Sequence, residues 1–266
     1  MSFFLRFSFL SPALVSIFLI QCVHTSDENS SSQTETFPYS KASYYFKQST
    51  SFVIEMYYET GAEPFTGSLP GGRQIMSIFT DNITDILKYK SVTPTLVSPT
   101  SLSEMTLMAT QSKSSWTAED VFSLHNQYKS ASSTETQSVF YIYFLKGYAS
   151  AGSSVIGFSI KGTPIIALFK DVIASTGNQS TQKFVEQSTL VHEMGHALGF
   201  VGNGVPLASD HQDTNNGAHT TNNDCVMFWL NEGSSDLANF VQQFIVSGSV
   251  IMWGSQVLAD AQAYSE

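Results

Sequence analysis

Charged residues are scarce in this chain of 266 residues, and cysteines are scarcer still. Only 13% of the residues are charged, which is about half the usual share in soluble proteins. The 12 Lys and Arg against 22 Asp and Glu give a net charge of −10. Without a basic cluster, this balance argues against nucleic-acid binding. The two cysteines, Cys22 and Cys225, exclude a disulfide-dense small fold and a four-cysteine zinc site.

Long apolar runs are also missing beyond the N-terminus. No stretch after residue 21 reaches 18 apolar residues, so we expect the rest of the protein to be soluble. What the chain does have is 42% hydrophobic and 13% aromatic residues, enough for a sizeable core. This composition excludes wholesale disorder, and the length suggests one large domain or two small ones.

The first 21 residues have the composition of a signal peptide. They carry one charge, Arg6, and an apolar stretch from Phe3 to Ile20, followed by an abrupt polar change. The end of this run, Leu19-Ile20-Gln21-Cys22, resembles a bacterial lipobox, although Gln21 stands where a small residue is usual. We therefore expect an exported protein at the outer surface, anchored to the membrane through a lipid on Cys22. Free secretion and a permanent membrane span are the alternatives.

The domain organisation follows from the composition after the signal peptide. Residues 22–45 include a stretch rich in Ser, Thr, Asp and Glu, which predicts a flexible tether. Residues 46–266 contain no linker or repeat and are predicted to form a single domain. Removal of residues 1–21 takes away one basic and no acidic residue, so 11 basic and 22 acidic residues leave a net charge of −11.

The hydrophobic pattern of this domain alternates between strands and helices. The predicted strands are 50–58, 95–97, 138–145, 155–160 and 164–169. The predicted helices are 73–89, 116–128, 181–200, 235–246 and 255–264. Strand 138–145 is continuously apolar and should be central, whereas Pro164 favours an edge position for 164–169. The fold class is α/β (α+β), with a mixed twisted sheet and a mostly irregular or helical C-terminal part.

A metal-binding motif lies in the predicted helix 181–200, where the sequence reads His192-Glu193-Met194-Gly195-His196. On a helix the two histidines are about 40° apart in angle and about 6 Å apart in rise, so both can bind one ion. Glu193 lies about 100° round from His192, where it can reach a water on the metal. The motif therefore predicts one catalytic Zn²⁺, with Glu193 as the general base and His192 and His196 as ligands.

A catalytic zinc needs a third protein ligand and an open position. The candidates are His219, His211 and a carboxylate such as Asp213. Some zinc peptidases take a glutamate ligand from a downstream helix instead. Glu232 is the one glutamate between Glu193 and Glu266, and it lies in an apparent loop, which argues against that arrangement.

The motif and its surroundings resemble the metzincin metalloproteases, whose pattern is HExxHxxGxxH. Gly199 matches the glycine, but Gly202 stands at the third histidine. The segment from His219 to Met227 is similar to the archaemetzincin stretch HCxxxxCxM, with Thr220 in place of the first Cys. The resemblance implies that His219 is the third ligand after an insertion of 17 residues, and that Met227 forms the methionine turn beneath the metal. Only one of the family's four second-site cysteines is kept, so no second zinc is expected.

The reaction that this resemblance implies is hydrolysis of peptide bonds in a protein or peptide substrate by a monomeric zinc endopeptidase. In metzincins an antiparallel edge strand pairs with extended substrate, and residues 164–169 are expected to be that strand. The intact Glu193 favours an enzyme, whereas the missing third histidine of the metzincin pattern favours a non-catalytic surface lipoprotein, such as an adhesin or binding module.

Overall fold

The computed structural model describes residues 36–266. The predicted signal peptide, Cys22 and most of the predicted tether lie outside the described residues. Within residues 36–266, none of the helices combines the length and the apolar character that a membrane span requires.

A mixed sheet forms the centre of the domain. Its strands run in the order β2-β1-β5-β8-β7, and β3 also pairs with β1. All pairings are parallel except that of β7 with β8, which is antiparallel. A separate small sheet contains β4 and β6. The strand bounds are β1 Ser51–Glu59, β2 Thr95–Val97, β3 Thr106–Met108, β4 Ser115–Trp116, β5 Gln137–Leu145, β6 Tyr148–Ala149, β7 Gly157–Ser159 and β8 Ile165–Phe169.

Helices surround this sheet and make up most of the C-terminal part. Two short 3₁₀ helices, Leu102–Glu104 and Trp229–Glu232, complete the secondary structure. Between Gly199 and Glu266 the described chain contains helices, turns and isolated bridges but no strand. The predicted mixed α/β fold class is therefore confirmed. The helix bounds are α1 Ala42–Lys47, α2 Ser77–Leu87, α3 Ala118–Tyr128, α4 Lys170–Ala174, α5 Gln179–Leu198, α6 Ser234–Phe240, α7 Gln242–Ser247 and α8 Ser255–Ser265.

The central strand follows directly from its composition. Eight of the nine residues of β5 are buried, because the sheet is covered on both faces there. Its parallel pairing with β1 extends over eight residues, from Ser51 opposite Gln137 to Tyr58 opposite Phe144. This pair forms the rigid base on which the following strands and α5 are placed.

Helix α5 is buried along most of its length, which fixes the residues that it carries. The side chain of Asn178 caps its start by accepting a hydrogen bond from the Thr181 amide at 3.1 Å. At its end Gly199 has φ +100°, and its amide bonds to the carbonyls of Gly195 and His196. Glycine adopts this left-handed conformation without the steric cost of a side chain, so the helix stops one residue before it.

Two predictions about chain placement are wrong. The strand predicted at 164–169 lies inside the sheet, between β5 and β7, and β7 is the edge. Pro164 does not force an edge position, because β8 begins one residue later, at Ile165. The carbonyl of Pro164 still takes part in the pairing with β5, since it accepts a hydrogen bond from the Tyr141 amide at 2.9 Å. Residues 42–45, which were predicted to lie in the tether, belong to α1, and Tyr44 and Tyr45 are buried in the core.

One predicted helix is divided in the structure. Residues 235–246 form α6 and α7, which are separated at Val241. Both helices bury apolar residues, Leu237 and Phe240 from α6 and Phe244 from α7. The helical pattern therefore predicted which apolar residues are buried, but it did not predict the break at Val241.

A buried ion pair fixes α5 against the end of the sheet. Lys170, which follows β8, contacts the fully buried carboxylate of Glu186 in α5. That carboxylate also accepts a hydrogen bond from the Phe65 amide at 2.7 Å, and the Lys170 ammonium lies 3.8 Å from the centre of the Phe65 ring. Removing one partner of such a pair leaves an uncompensated buried charge.

We therefore expect Lys170→Met to lower the free energy of unfolding of the full chain by about 3–5 kcal/mol, measured by urea denaturation. Lys88→Met is the matched control, because Lys88 pairs with Asp85 at 2.8 Å on the surface. The control should cost no more than about 1 kcal/mol. Equal effects of the two substitutions would show that the buried pair does not hold α5.

Candidate metal centre

Three histidine rings converge at the C-terminal half of α5. His192 and His196 lie one turn apart on the same side of the helix, and their Nε2 atoms are 3.1 Å apart. The ring centre of His219 lies 5.3 Å from that of His192 and 4.9 Å from that of His196. One ligand atom from each histidine and one from Glu232 all lie within 4.8 Å of one another. The structure thus brings together His192, His196 and His219 and adds a carboxylate.

Backbone carbonyls orient two of the three rings. Nδ1 of His192 donates to the carbonyl of Val226 at 2.7 Å, and Nδ1 of His219 donates to the carbonyl of Asn216 at 2.6 Å. A carbonyl can only accept, so the proton of each neutral ring stays on Nδ1. The Nε2 lone pair of each ring is then directed into the cluster, as in histidines that bind metals.

The spacing of these nitrogens fits a shared zinc ion. Two nitrogens bound to tetrahedral zinc at about 2.0–2.1 Å are about 3.3 Å apart, which is close to the 3.1 Å between His192 and His196. The buried Nε2 of His219 has no hydrogen-bond partner among residues 36–266. A buried polar atom without a partner is costly, and a metal ion would remove that cost.

The environment keeps His192 in its neutral form. Burial lowers the pKa of His192 to about 4, and the nearby His219 contributes in the same direction. Neutral imidazole is the form that binds metal ions. For His219, burial acts to lower the pKa, but the nearby carboxylate of Glu232, the Asn216 carbonyl and the charge of Asp213 together outweigh it and raise the pKa above its usual value.

Glu232 is the residue of the cluster that the sequence analysis argued against as a ligand, and the structure brings it to the histidines. Its Oε1 lies 3.0 Å from Nε2 of His219, without the alignment of a hydrogen bond. It ends the 3₁₀ helix Trp229–Glu232 and does not lie in an open loop. The side-chain amide of Asn231 donates to the carbonyls of Cys225 and Val226 at 3.1 and 3.2 Å. The available signal was that Glu232 is the one glutamate between Glu193 and Glu266, and its apparent loop position led us to argue against it as a ligand.

His211, the alternative third ligand, is used elsewhere. Its Nδ1 lies 2.9 Å from the Thr220 hydroxyl and its Nε2 lies 2.8 Å from the buried carboxylate of Asp260 in α8. Asp260 also accepts a bond from the Ala208 amide at 2.7 Å. Both ring nitrogens are therefore engaged, and His211 ties the long loop to α8. Its contact with Thr220 fixes the residue next to His219.

Asp213 is likewise not in the cluster. Its amide donates to the carbonyl of His219 at 2.7 Å, and its carboxylate accepts bonds from the Asn215 amide and the Asn216 side chain. These bonds shape the turn that leads into His219. Asp213 supports the position of that histidine through the backbone, with no carboxylate oxygen directed at the common point of the Nε2 atoms.

Met227 packs directly against α5 at Gly195. A Cβ atom added to Gly195 would stand 2.4 Å from Sδ of Met227 and 3.2 Å from the Trp253 ring. No real side chain fits that distance, so the close approach depends on glycine at this position. The same turn supplies the Val226 carbonyl that holds His192. The methionine turn that the resemblance implies at Met227 stays a prediction.

Glu193 lies beside the cluster and under the edge strand β7. Burial, and after it the charge of Glu232, raises the pKa of Glu193 well above its usual value. The Ser159 backbone has the opposite, smaller effect on this pKa. A Cβ atom on Gly157 would lie 2.8 Å from the Thr189 side chain in α5. Glycine at this position therefore lets β7 lie close to the helix.

A cleft of about 440 Å³ opens at this point of the surface. Strand β7 and the turn after it line the cleft, together with the loop that follows α5. Glu193, His196 and Glu232 all contribute to its lining, so the cluster is reachable from solvent. Trp116 and Val155 provide apolar surface within the cleft. This arrangement can hold an extended ligand next to a metal ion.

Comparisons with known proteins give a weak similarity of fold. No family model matches the sequence, and the search of curated proteins gives no match. A crystal structure of archaemetzincin from Methanopyrus kandleri aligns with 81% of this chain and 96% of its own, at 14% identity and a TM-score of 0.42. A zinc-dependent peptidase from Methanocorpusculum labreanum aligns with 78% of this chain and 99% of its own, at 8% identity and a TM-score of 0.40. Such values are too low to transfer a residue or an activity to this chain.

We expect Gly195→Ala to destabilise the full chain by about 1–3 kcal/mol, because the methyl group must displace Met227 or α5. Without the contact to Met227, alanine would be expected to stabilise the helix by about 1 kcal/mol relative to glycine. A loss of stability therefore indicates the close contact, and a gain indicates its absence. Gly152→Ala is the control, since its methyl group would meet only Val155 at 3.7 Å. Urea denaturation measures both, and a stabilising Gly195→Ala would contradict the close packing.

Proposed function

We propose that this protein is a zinc-dependent peptidase with His192, His196 and His219 as zinc ligands. The observation that carries the proposal is the convergence of three Nε2 atoms on one point beside a buried carboxylate in an open cleft. A bound zinc ion supplies a water of lowered pKa and polarises the carbonyl group under attack. The chain's own residues supply the proton transfer and the binding of substrate.

Glu193 acts as the general base in this proposal. Its carboxylate takes a proton from the attacking water and later gives that proton to the nitrogen of the leaving amine. Its burial under β7 supports this role, because a buried side chain packed against the strand has little freedom to move. The side chain lines the same cleft as His196, so it can reach a scissile bond that lies there.

The edge strand β7 is the proposed binding site for an extended peptide. Ile160 donates to Ile165 at 2.9 Å and Phe169 donates to Ile156 at 2.8 Å across the antiparallel pair. The backbone groups of Gly157 and Ser159 therefore point away from β8, since neighbouring residues alternate in direction. Gly157, which lies at this edge and also lines the cleft, is proposed to pair with substrate by strand addition.

A non-catalytic binding protein with a structural metal is the second candidate. One observation favours it, namely that Glu232 offers a fourth ligand atom to the same cluster. Four protein ligands are typical of structural zinc sites, whereas catalytic sites keep one position open. Export and lipid anchoring through Cys22 are compatible with both candidates and remain predictions from residues 1–22.

We expect Glu193→Gln to abolish peptide hydrolysis while the zinc content stays the same. Loss of a general base costs about 10²–10⁴-fold in rate. The full chain and the variant are compared for bound zinc by elemental analysis and for cleavage of unfolded casein and of quenched fluorescent peptide mixtures. Full zinc occupancy in the unsubstituted chain without cleavage of any substrate would favour the binding protein.

The third ligand is tested by a pair of histidine substitutions. We expect His219→Ala to lower zinc affinity at least tenfold more than His211→Gln, measured by competition with a chromogenic chelator. The reason is that His219 directs Nε2 into the cluster, whereas both nitrogens of His211 are bonded to Thr220 and Asp260. Glutamine keeps hydrogen-bonding groups next to Asp260, which protects the fold. The reverse order of affinities would identify His211 as the ligand.

A further inference from the structure

We propose that Glu232 is a fourth and displaceable ligand of the same metal ion, so that the resting site is closed by the chain's own carboxylate. The release of Glu232 then opens the position that a substrate needs. This inference rests on the proposed function for its second part, the release, whereas the first part, the ligation, stands on the geometry of the cluster alone.

The first reason is the position of the carboxylate. Oε1 of Glu232 lies 3.0 Å from Nε2 of His219, yet the two atoms are not aligned for a hydrogen bond. Two donor atoms that share a tetrahedral zinc ion are about 3.3 Å apart, and neither points at the other. The contact between Glu232 and His219 has this form. It is the arrangement of two ligands around a third atom.

The second reason is that the segment carrying Glu232 is fixed on both sides. Before it, the buried Asn231 bonds to the carbonyls of Cys225 and Val226. After it, Gly233 forms an antiparallel bridge with Val155, a residue of the cleft wall. These anchors hold the backbone of Glu232 next to the histidines. A carboxylate held in this way is a built part of the centre.

The third reason is the difference in burial between the ligands. The side chain of His219 is 1% exposed, whereas that of Glu232 is 17% exposed. Glu232 also lines the cleft, so it borders on the space that a substrate would enter. A histidine enclosed by protein cannot leave without local unfolding. A carboxylate that borders on the cleft can turn toward water without unfolding of the surrounding chain.

Charge explains why such a ligand would be useful and why it can be exchanged. Three neutral imidazoles leave a divalent ion with its full charge of +2, and one carboxylate reduces this to +1. The carboxylate therefore strengthens binding of the ion in the resting state. A substrate that brings a carbonyl oxygen to the same position, with the backbone pairing of β7 behind it, competes with Glu232 for that position.

The test uses the full chain loaded with Co²⁺ or Zn²⁺. Co²⁺ in a four-coordinate site absorbs visible light much more strongly than in a site that has gained water. We expect Glu232→Ala to change the absorption of the Co²⁺ form and to lower Zn²⁺ affinity at least tenfold. Asp236→Ala is the matched control, because it removes the same charge from an exposed side chain four residues away. It should leave the absorption unchanged.

Glu232→Gln keeps the size of the side chain and guards against a variant that fails to fold, and thermal unfolding checks both variants. Absorption and Zn²⁺ affinity like those of the unsubstituted chain in both Glu232 variants would overturn the ligation. With Zn²⁺ saturating, we expect more rapid peptide cleavage by Glu232→Ala, because the open position no longer requires a release. Slower cleavage would overturn the displacement.

The two proposals fail in different ways. If the Co²⁺ absorption depends on Glu232 and no form cleaves peptides, the ligation stands, while the peptidase function and the displacement both fall. If the unsubstituted chain cleaves peptides and its Co²⁺ absorption is unaffected by Glu232→Ala, the peptidase stands and the fourth ligand falls.

Discussion

The close approach between α5 and the turn at Met227 is the constraint on which the centre depends. Gly195 makes this approach possible, since any side chain there would overlap the methionine sulfur. The same turn provides the carbonyl that orients His192 and the carbonyls that hold Asn231. One contact between two segments thus fixes a histidine of the helix and, through Asn231, the carboxylate that faces it. A side chain at position 195 would therefore disturb His192 and Glu232 together.

The centre joins a feature of catalytic sites with a feature of structural ones. An open cleft, an edge strand and a buried glutamate surround the histidines, as the proposed hydrolysis requires. Four candidate ligand atoms within one cluster are what a structural ion requires. A displaceable Glu232 reconciles these features, because the same group that completes the coordination lies on the side that faces the cleft. The burial of His219 and the partial exposure of Glu232 give the two ligands different roles.

Local sequence patterns predicted those elements whose structure depends only on residues nearby in the chain. The continuous apolarity of β5, the two histidines on α5 and the glycine that ends this helix can each be interpreted without the rest of the chain. The spacing between His219 and Met227 also carried information, because the turn between them is short. The mixed α/β class was accessible for the same reason, since it depends on the order of elements.

The remaining features depend on contacts between distant segments. Glu232 joins the cluster through Asn231 and through a bridge to Val155, and neither contact leaves a periodic signal in the sequence. Strand β8 lies inside the sheet because β7 pairs with its outer side. Strand β7 is only three residues long, and its residues do not alternate between buried and exposed. Both ring nitrogens of His211 are occupied by partners 9 and 49 residues away. A histidine near a metal motif therefore looked like a candidate ligand until its neighbours were known.

The bond between His211 and Asp260 has a consequence for the order in which the protein matures. His192 and His196 emerge from the ribosome well before α8, but the loop that leads to His219 obtains its anchor from residue 260. During synthesis the growing chain can therefore offer only a pair of imidazoles, which bind a divalent ion weakly. The arrangement of the four candidate ligand residues therefore depends on residue 260, which comes well after all of them in the chain.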